Sequence, residues 1–123
     1  MSQFLLDTDV LIDFLRGQLK AVAFFDNIDN ALISAISVAE LYVGARTSHE
    51  ETELAAFLHF FQISPVNEVI AKTAGQYRRK YGPSHGSGLA DCIIAATTYT
   101  CHATLVTRNK KHFPMLKNVL VPY

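Results

Sequence analysis

Three acidic residues stand where a short apolar segment gives way to a helical pattern. Asp7 ends FLLD, Glu40 lies in SAISVAE, and Asp91 opens the helix-like segment GLADCIIAA. In a parallel sheet, the C-terminal ends of the strands and the N-terminal ends of the following helices share one edge, where ligands bind. Two carboxylates about 4 Å apart repel by roughly 4 kcal/mol at an effective dielectric constant of about 20. A hard divalent cation with oxygen ligands offsets this repulsion, so the three acids predict a metal site.

Each acid also has a structural alternative. Asp7 or Asp9 can cap the first helix, and Asp9 is the better placed of the two, which leaves Asp7 available as a ligand. Ser37 and Glu40 have the spacing of a capping box, so Glu40 is either a helix cap or a ligand that orients water. Asp91 can stabilise the first turn of its helix through the helix dipole. A carboxylate among apolar neighbours nevertheless needs a partner, which favours a metal-binding role.

Polar residues also follow the apolar segment ATLV. Thr107 and Asn109 are placed to hydrogen-bond a carboxylate or to position water, or else to cap the turn that follows them. Asp9 has a similar supporting role, as a helix cap or as a residue that holds the ligands. Asp13 lies further along the first helix and is expected to be solvated or paired with Arg16.

Basic residues near these segments are expected to bind a phosphate backbone. Arg108, Lys110 and Lys111 follow the last polar segment and are the preferred phosphate contacts. Arg46 is either a further contact or the partner of an active-site acid. The basic residues 78–80 end a helix, where they act as dipole partners or as phosphate contacts. His112 follows the last polar segment closely enough to reach the site, but a lone histidine on a turn is more commonly a surface residue.

Length and composition limit the possible classes of protein. The 123 residues predict one domain, residues 1–123, and equal numbers of basic and acidic residues (11 each) argue against binding nucleic acid by bulk charge alone. The first residues lack the basic region of a signal peptide, and no apolar run approaches the ~20 residues of a membrane span. Cys92 and Cys101 form no metal-binding or redox motif, so we expect a protein of the reducing cytoplasm.

Short apolar segments alternate with helical patterns along the chain. Strands are predicted at 4–6, 31–34, 63–66, 104–107 and 119–121, and Pro65 places the third at an edge. A helix capped by Asn67 is expected to end at Gly82, followed by a flexible segment over 82–88. The alternation predicts a three-layer α/β/α domain with a mostly parallel sheet of about five strands.

Four segments taken together resemble a PIN-domain ribonuclease of the VapC toxin type. They are LLDTDVLID, SAISVAELYVGA, GLADCIIAATTYTCHATLVTRNKKHF and VLVPY. The resemblance implies a PIN-like fold and an endoribonuclease that depends on Mg²⁺ or Mn²⁺, with Asp7, Glu40 and Asp91 as its acidic site. It also implies a toxin, commonly a homodimer, that is neutralised by a small antitoxin whose peptide enters the active-site groove.

One position departs from the family pattern. Asn109 stands where many relatives have a fourth acid, which predicts weaker binding of a second metal ion. With Asp7 and Asp91 as ligands and Glu40 as ligand or base, the expected reaction is attack on the phosphodiester by metal-activated water. Departure of the 3′-oxygen would leave a 5′-phosphate and a 3′-hydroxyl.

Three other functions fit parts of the sequence. A non-catalytic PIN-like module would bind RNA or protein without cutting it, and Asn109 keeps this alternative open. A haloacid-dehalogenase-like phosphatase would use Asp7 and Asp9 as nucleophile and general acid, but the chain is short for that fold. A phosphotransfer regulator needs an aspartate at a central strand tip, and none occurs between Asp29 and Asp91.

Overall fold

A five-stranded sheet lies at the centre of the chain. The computed structural model describes residues 3–123, in which the strands run parallel in the order β3-β2-β1-β4-β5. The strands are β1 (Phe4–Leu6), β2 (Leu32–Ser34), β3 (Gln62–Ser64), β4 (Thr104–Val106) and β5 (Val119–Leu120). The predicted α/β fold is confirmed, and every strand pair in the described residues is parallel.

Helices connect the strands and cover both faces of the sheet. They are α1 (Thr8–Leu15), α2 (Leu19–Phe25), α3 (Ala35–Gly44), α4 (Ser48–Leu58), α5 (Glu68–His85) and α6 (Leu89–Thr100), with a 3₁₀ turn over Lys110–His112. Several begin at a polar side chain that accepts a hydrogen bond from a backbone N–H of the first turn, as Ser34, Thr47 and Asn67 do. These caps satisfy N–H groups that a helix start leaves unpaired.

Alternating residues of each strand supply two separate cores. One face of the sheet buries Leu5, Leu32 and Leu105 against α6 and Phe113. The opposite face packs against α1, α3 and α4 and buries Leu6, Ile33 and Val106. Successive strand side chains point to opposite faces, so leucine, isoleucine and valine at adjacent positions require cover on both sides. This pattern produces the three layers.

The strand order also creates a crevice between β1 and β4. From β1 the chain builds outward through β2 and β3, then returns to place β4 on the other side of β1. Such a change of direction leaves an opening at the C-terminal ends of the two central strands, where open α/β sheets bind ligands. At this point the backbone N–H of Asp7 donates to the carbonyl of Val106 over 2.9 Å.

Helix α5 corrects one prediction. It does not stop at Gly82 but continues through Pro83 to His85, and it ends at Gly86, whose φ is +66°. Pro83 lies in the last turn, where its missing N–H costs the helix one backbone hydrogen bond and its ring crowds the preceding turn. Gly86 adopts the left-handed conformation that helix ends favour, and its N–H donates to the Gly82 carbonyl over 3.1 Å.

The thiols are packing groups, as predicted. Cys92 and Cys101 are unbonded to each other, and Cys92 is buried between α5 and α6. Burial raises the pKa of the Cys92 thiol, which makes it less reactive. In the described part of the chain, none of the helices has the length and apolar character needed to cross a bilayer.

Candidate active site

Asp7 lies at the crevice, between the end of β1 and the start of α1. Its side chain is 5% exposed, and one carboxylate oxygen accepts the Thr8 N–H over 2.8 Å. The other oxygen accepts the hydroxyl of Thr107, at the end of β4, over 2.6 Å. Asp7 is therefore the N-cap of α1 as well as a site residue, and the prediction that Asp9 caps this helix was wrong.

The surroundings of Asp7 disfavour its charge. Burial raises the pKa of Asp7 to about 7, and the negative charges of Asp9 and Asp91 add to this effect. The hydrogen bonds from Thr107 and Thr8 act in the opposite direction, because they stabilise the carboxylate. A cation that binds to a carboxylate held in this way offsets the unfavourable charge and stabilises the site.

Asp9 carries an unsatisfied oxygen. Its Oδ2 accepts the backbone N–H of Arg108 and the side-chain amide of Asn109, both over 3.1 Å. Its Oδ1 is buried and has no hydrogen-bond partner in the described residues. Burial raises the pKa of Asp9 as well. A buried carboxylate oxygen without a partner is costly, which makes Asp9 a stronger ligand candidate than its predicted supporting role.

Glu40 joins the site through Thr8. Helix α3 starts after Ser34, which caps it, so Glu40 lies inside the helix and the predicted capping box with Ser37 does not form. The hydroxyl of Thr8 instead donates to Glu40 Oε1 over 2.7 Å and lies 2.8 Å from the Ser37 hydroxyl oxygen. Since Thr8 also donates its N–H to Asp7, one residue connects two of the predicted acids.

Asp91 enters the site from the first turn of α6. Its Oδ2 accepts the N–H of Gly88 over 3.3 Å, so Asp91 stabilises the helix start, as its structural alternative predicted. The same oxygen lies 3.5 Å from Nδ1 of His112, which is half-buried rather than a free surface residue. Asp91 is near enough to raise the pKa of Asp7, which places both carboxylates in one electrostatic field.

The predicted phosphate contacts differ in their availability. Lys110 and Lys111 are exposed on the 3₁₀ turn beside the site. Arg108 donates from Nη1 to Oδ2 of Asp13 over 3.0 Å, so the expected pairing of Asp13 with Arg16 was wrong. Arg46 is exposed after α3, and within residues 3–123 it makes no ion pair with an active-site acid.

The donor set suits a hard cation. Across residues 3–123, no three His, Cys, Asp or Glu side chains lie close enough together to hold a metal ion among them. The crevice nevertheless presents carboxylate oxygens from Asp7, Asp9 and Asp91, one of them buried without a partner. Mg²⁺ and Mn²⁺ bind such oxygens and keep several waters, so they do not require a closed cage of protein ligands.

Comparison with known proteins assigns the family. The family model of the PIN domain matches residues 4–117. The chain belongs to the PIN-domain family. This PIN-domain chain is 42% identical to Ribonuclease VapC10 of Mycobacterium tuberculosis, over 97% of this chain and 92% of that protein. The expected family is thereby confirmed, and it replaces the phosphatase and phosphotransfer alternatives.

Solved structures show the same fold. A toxin–antitoxin complex from Klebsiella pneumoniae superposes with a TM-score of 0.84 at 32% identity, covering 98% of each chain. FitAcB from Neisseria gonorrhoeae gives a TM-score of 0.80 at 31% identity, also covering 98% of each chain. Both likenesses extend over nearly the whole PIN domain, including the crevice between β1 and β4.

Sequence reasoning missed several residues that shape the site. No role is predicted for Thr8, although it stands between two acids in the motif DTD, and Ser37 is predicted only as a helix cap, not as a neighbour of Thr8. His112 was assigned to the surface, and Tyr123 was not singled out, yet its hydroxyl contacts Asp13. No local pattern identifies His112 or Tyr123, because their partners Asp91 and Asp13 lie far away in the sequence.

Proposed function

We propose that this PIN-domain chain is an endoribonuclease and the toxin of a toxin–antitoxin pair, with residues 1–123 acting as one domain. The observation that carries the proposal is the convergence of Asp7, Asp9 and Asp91 at the β1–β4 crevice, with a buried oxygen of Asp9 unpartnered. The ribonuclease name of the 42% identical relative and the toxin–antitoxin complex formed by the Klebsiella neighbour support the same function.

Mg²⁺ or Mn²⁺ is the proposed cofactor, with Asp7, Asp91 and Asp9 as ligands. When bound, such an ion supplies Lewis acidity, which activates water and neutralises charge on the phosphate. Glu40 orients water or adds a ligand, and Thr8 fixes its position relative to Asp7. Thr107 keeps Asp7 in place, and hydrolysis with departure of the 3′-oxygen leaves a 5′-phosphate and a 3′-hydroxyl.

Asn109 compensates in part for the acid found there in many relatives. Its side-chain amide donates to Asp9 Oδ2 over 3.1 Å, and its backbone N–H donates to the Thr107 hydroxyl oxygen over 3.0 Å. A carboxylate at this position would instead repel Asp9. Asn109 thus orients the Asp9 carboxylate. The site carries one negative charge fewer than a site with an acid at this position would.

RNA is proposed to approach along one basic side of the site, the basic flank: Arg78, Arg79, Lys80, Lys110 and Lys111. All five side chains are exposed, and the charge of Arg78 lowers the pKa of Cys92, which adjoins Asp91. An ideal Cβ on Gly86 would lie 4.0 Å from His112 Nε2, so the end of α5 adjoins the 3₁₀ turn. The start of α6 adds the positive end of its dipole there.

The opposite side of the site is acidic and apolar, and we propose that it receives the antitoxin. A groove of about 420 Å³ lies between α1, α3 and α4, with Ile12 and Leu41 among its apolar walls. Three acids, Glu40, Glu50 and Glu53, and one base, Arg16, also line it, so its net charge is negative. Its charge repels an RNA backbone and suits a peptide that combines apolar and basic side chains.

Assembly and location complete the proposal. Phe60 is 81% exposed beside a packed group of aromatic rings in α1, α2 and α4, and a homodimer would cover it. Large exposed apolar side chains are common in surfaces that bind proteins. Unpaired cysteines suit the reducing cytoplasm, where RNA and an antitoxin would both be present.

Mapping of RNA ends tests the nuclease activity. We expect the purified wild type to cut a mixed RNA pool with Mg²⁺ or Mn²⁺, leaving 5′-phosphates, and to stop when EDTA is added. Asp91→Asn should abolish these cuts and keep the fold. Asp29→Asn, an exposed acid before β2, is the matched control and should cut normally. Equal cleavage by Asp91→Asn and wild type would refute the site assignment.

Binding without cleavage would favour the non-catalytic alternative. If wild-type protein binds RNA in filter or anisotropy assays but leaves no new ends with any divalent cation, the catalytic proposal fails. The family membership and fold would be unaffected by that result.

The basic flank has its own test. Lys110→Gln with Lys111→Gln should raise KM for RNA and leave kcat within about twofold. The slope of the logarithm of the binding constant against the logarithm of the salt concentration should become shallower by roughly one to two. Lys20→Gln with Lys117→Gln, two exposed lysines outside the basic flank, is the control that removes the same net charge. An unchanged salt dependence in the basic-flank variant would place the RNA elsewhere.

A further inference from the structure

Tyr123, which follows β5, is held against α1 at the rim of the active site. Its hydroxyl donates to Oδ2 of Asp13 over 2.8 Å, and Nη1 of Arg108 donates to the same oxygen over 3.0 Å. The guanidinium carbon of Arg108 lies 5.2 Å from the centroid of the Tyr123 ring. These three residues, here named the Tyr123 clamp, join three distant parts of the chain.

The clamp continues directly into the site. The backbone N–H of Arg108 donates to Oδ2 of Asp9, and the next residue, Asn109, donates its side-chain amide to the same oxygen. Asp9 and Asp13 are four residues apart on α1, so they lie on one face of the helix. Arg108 is therefore attached to α1 twice, by its backbone to Asp9 and by its side chain to Asp13.

We propose that Tyr123, Asp13 and Arg108 are positioning residues that hold segment 108–109 against Asp9 and thereby direct the unpartnered Asp9 oxygen into the site. This inference rests on the proposed nuclease function. Two of the three donors to Asp9 Oδ2 belong to exposed residues of an irregular segment between β4 and the 3₁₀ turn, and the third, the buried Thr107 hydroxyl, is the most distant at 3.5 Å. Without an anchor such a segment samples several conformations, and Asp9 would rotate with it.

The chemistry of the clamp suits an anchor. Charge-assisted hydrogen bonds are shorter and stronger than neutral ones, and Asp13 accepts two, from a phenol and from a guanidinium. The Asp13 side chain is only 19% exposed, which limits competition from water. The Tyr123 ring adds a cation–π contact to Arg108.

The same observations distinguish two roles for Arg108, as part of the clamp or as a contact to the RNA substrate. Arg108 was the expected phosphate ligand, but its Nη1 is used by Asp13. If Arg108 serves RNA binding, releasing it from the clamp alters KM. If it serves Asp9, release lowers kcat and weakens binding of the cation, while KM for RNA stays the same.

Tyr123→Phe is the decisive variant, because it removes the hydroxyl and keeps the ring over Arg108. We expect kcat to fall about three- to tenfold with KM within twofold of wild type, as when a catalytic group is less well placed. Mn²⁺ affinity, measured by electron paramagnetic resonance without RNA, should fall by a similar factor. Tyr99→Phe, an exposed tyrosine of α6, is the matched control and should change neither quantity.

Asp13 provides a graded second test. Asp13→Ala removes the shared acceptor and should lower kcat more than Tyr123→Phe does. Asp13→Asn keeps a carbonyl oxygen for both donors and should restore part of the loss. The Arg108 amide should exchange with solvent faster in Asp13→Ala, since its bond to Asp9 is less constrained.

Two results overturn the proposal, and they differ from failure of the nuclease function. Unchanged kcat and Mn²⁺ affinity in folded Tyr123→Phe and Asp13→Ala would show that the clamp does not position Asp9. A change in KM alone would return Arg108 to the RNA contacts. If wild-type protein cuts no RNA, the nuclease proposal fails, while Mn²⁺ affinity and Arg108 amide exchange still decide whether the clamp acts on Asp9.

Discussion

The proposed active site has two halves that hold their acids differently. In the half formed by β1, α1 and β4, Asp7 is 5% exposed and bonded to Thr107 over 2.6 Å, and Asp9 accepts two bonds of 3.1 Å. In the half formed by α6 and the 3₁₀ turn, Asp91 is partly exposed, and its contacts measure 3.3 Å and 3.5 Å. The first half is preorganised and the second is loosely held.

The preorganised half lowers the stability of the fold, whereas the loose half can adapt to what binds there. The preorganised half concentrates charge in a buried place, where the ionised carboxylate of Asp7 is disfavoured. The loose half keeps Asp91 solvated and able to follow a bound ion or substrate. Functional sites commonly reduce stability in this way. The free energy of unfolding should therefore change much more when the acid of the preorganised half is neutralised than when the acid of the loose half is.

The largest expected effect is the loss of activity when Asp7 or Asp91 is neutralised. The two variants should differ in their free energy of unfolding, and this difference distinguishes the halves. Asp7→Asn and Asp91→Asn should each lower kcat by about 10²–10³-fold or more, because both remove charge from the cation site. In EDTA at pH 8, Asp7→Asn should raise the free energy of unfolding by about 1–3 kcal/mol, since it removes a buried charge. Asp91→Asn should change it by less than about 1 kcal/mol. Urea titrations measure both, and a destabilised Asp7→Asn would contradict the comparison.

The next prediction concerns pH. The pKa of Asp7 rises from 3.8 to about 7 on folding, so between these values the folded chain holds a proton that the unfolded chain has released. The stabilising contribution of this group is therefore full below about pH 4 and is lost as the pH rises through 7, by up to about 4 kcal/mol. Thermal unfolding in EDTA from pH 4 to 8 should show this decline. Saturating Mg²⁺ should reduce it, and a flat profile would argue against a buried Asp7 charge.

Thr107→Val should have a moderate effect within the preorganised half. The Thr107 hydroxyl lowers the pKa of Asp7, so its loss should raise that pKa further and shift the acidic limb of the pH–rate profile upward. At pH 7 we expect about a tenfold loss of kcat, with recovery at higher pH. Thr98→Val is the matched control, a buried threonine bonded within α6, and it should leave the pH–rate profile in place.

His112→Asn should have the smallest effect, because it belongs to the loose half. The pair between His112 and Asp91 is long, and both side chains are about 30% exposed (31% and 28%). Exposed ion pairs contribute about 0–1 kcal/mol, so kcat should change by no more than about fivefold. Steady-state kinetics on one RNA would test this. A loss as large as that of Asp91→Asn would show that the α6 half is also preorganised.

Much of the fold could be predicted because strand and helix signals are local. Apolar runs such as Phe4–Leu6 and the Asn67 cap lie within a few residues of the structure they specify. Helix limits were less predictable. The predicted end of α5 was Gly82, but the helix packs along α6 and continues to Gly86.

The site residues could be predicted by type and position, but not by partner. Asp7, Glu40 and Asp91 follow apolar segments, which is sufficient to place them near one edge of the sheet. Whether Glu40 caps its helix or accepts from Thr8 depends on where α3 begins relative to α1. That relation arises from packing across the sheet, which local sequence patterns do not encode.

The sequence by itself determined the alternation of strands and helices, the oxygen-rich chemistry of the site and the likeness to PIN domains. Only the tertiary structure decided that Asp9 keeps a buried oxygen unpartnered, that Arg108 pairs with Asp13, and that Tyr123 closes over both. The physical reason is distance along the chain. Propensities and caps act over a few residues, whereas hydrogen bonds between residues about a hundred positions apart exist only once the sheet has brought β1 and β4 together.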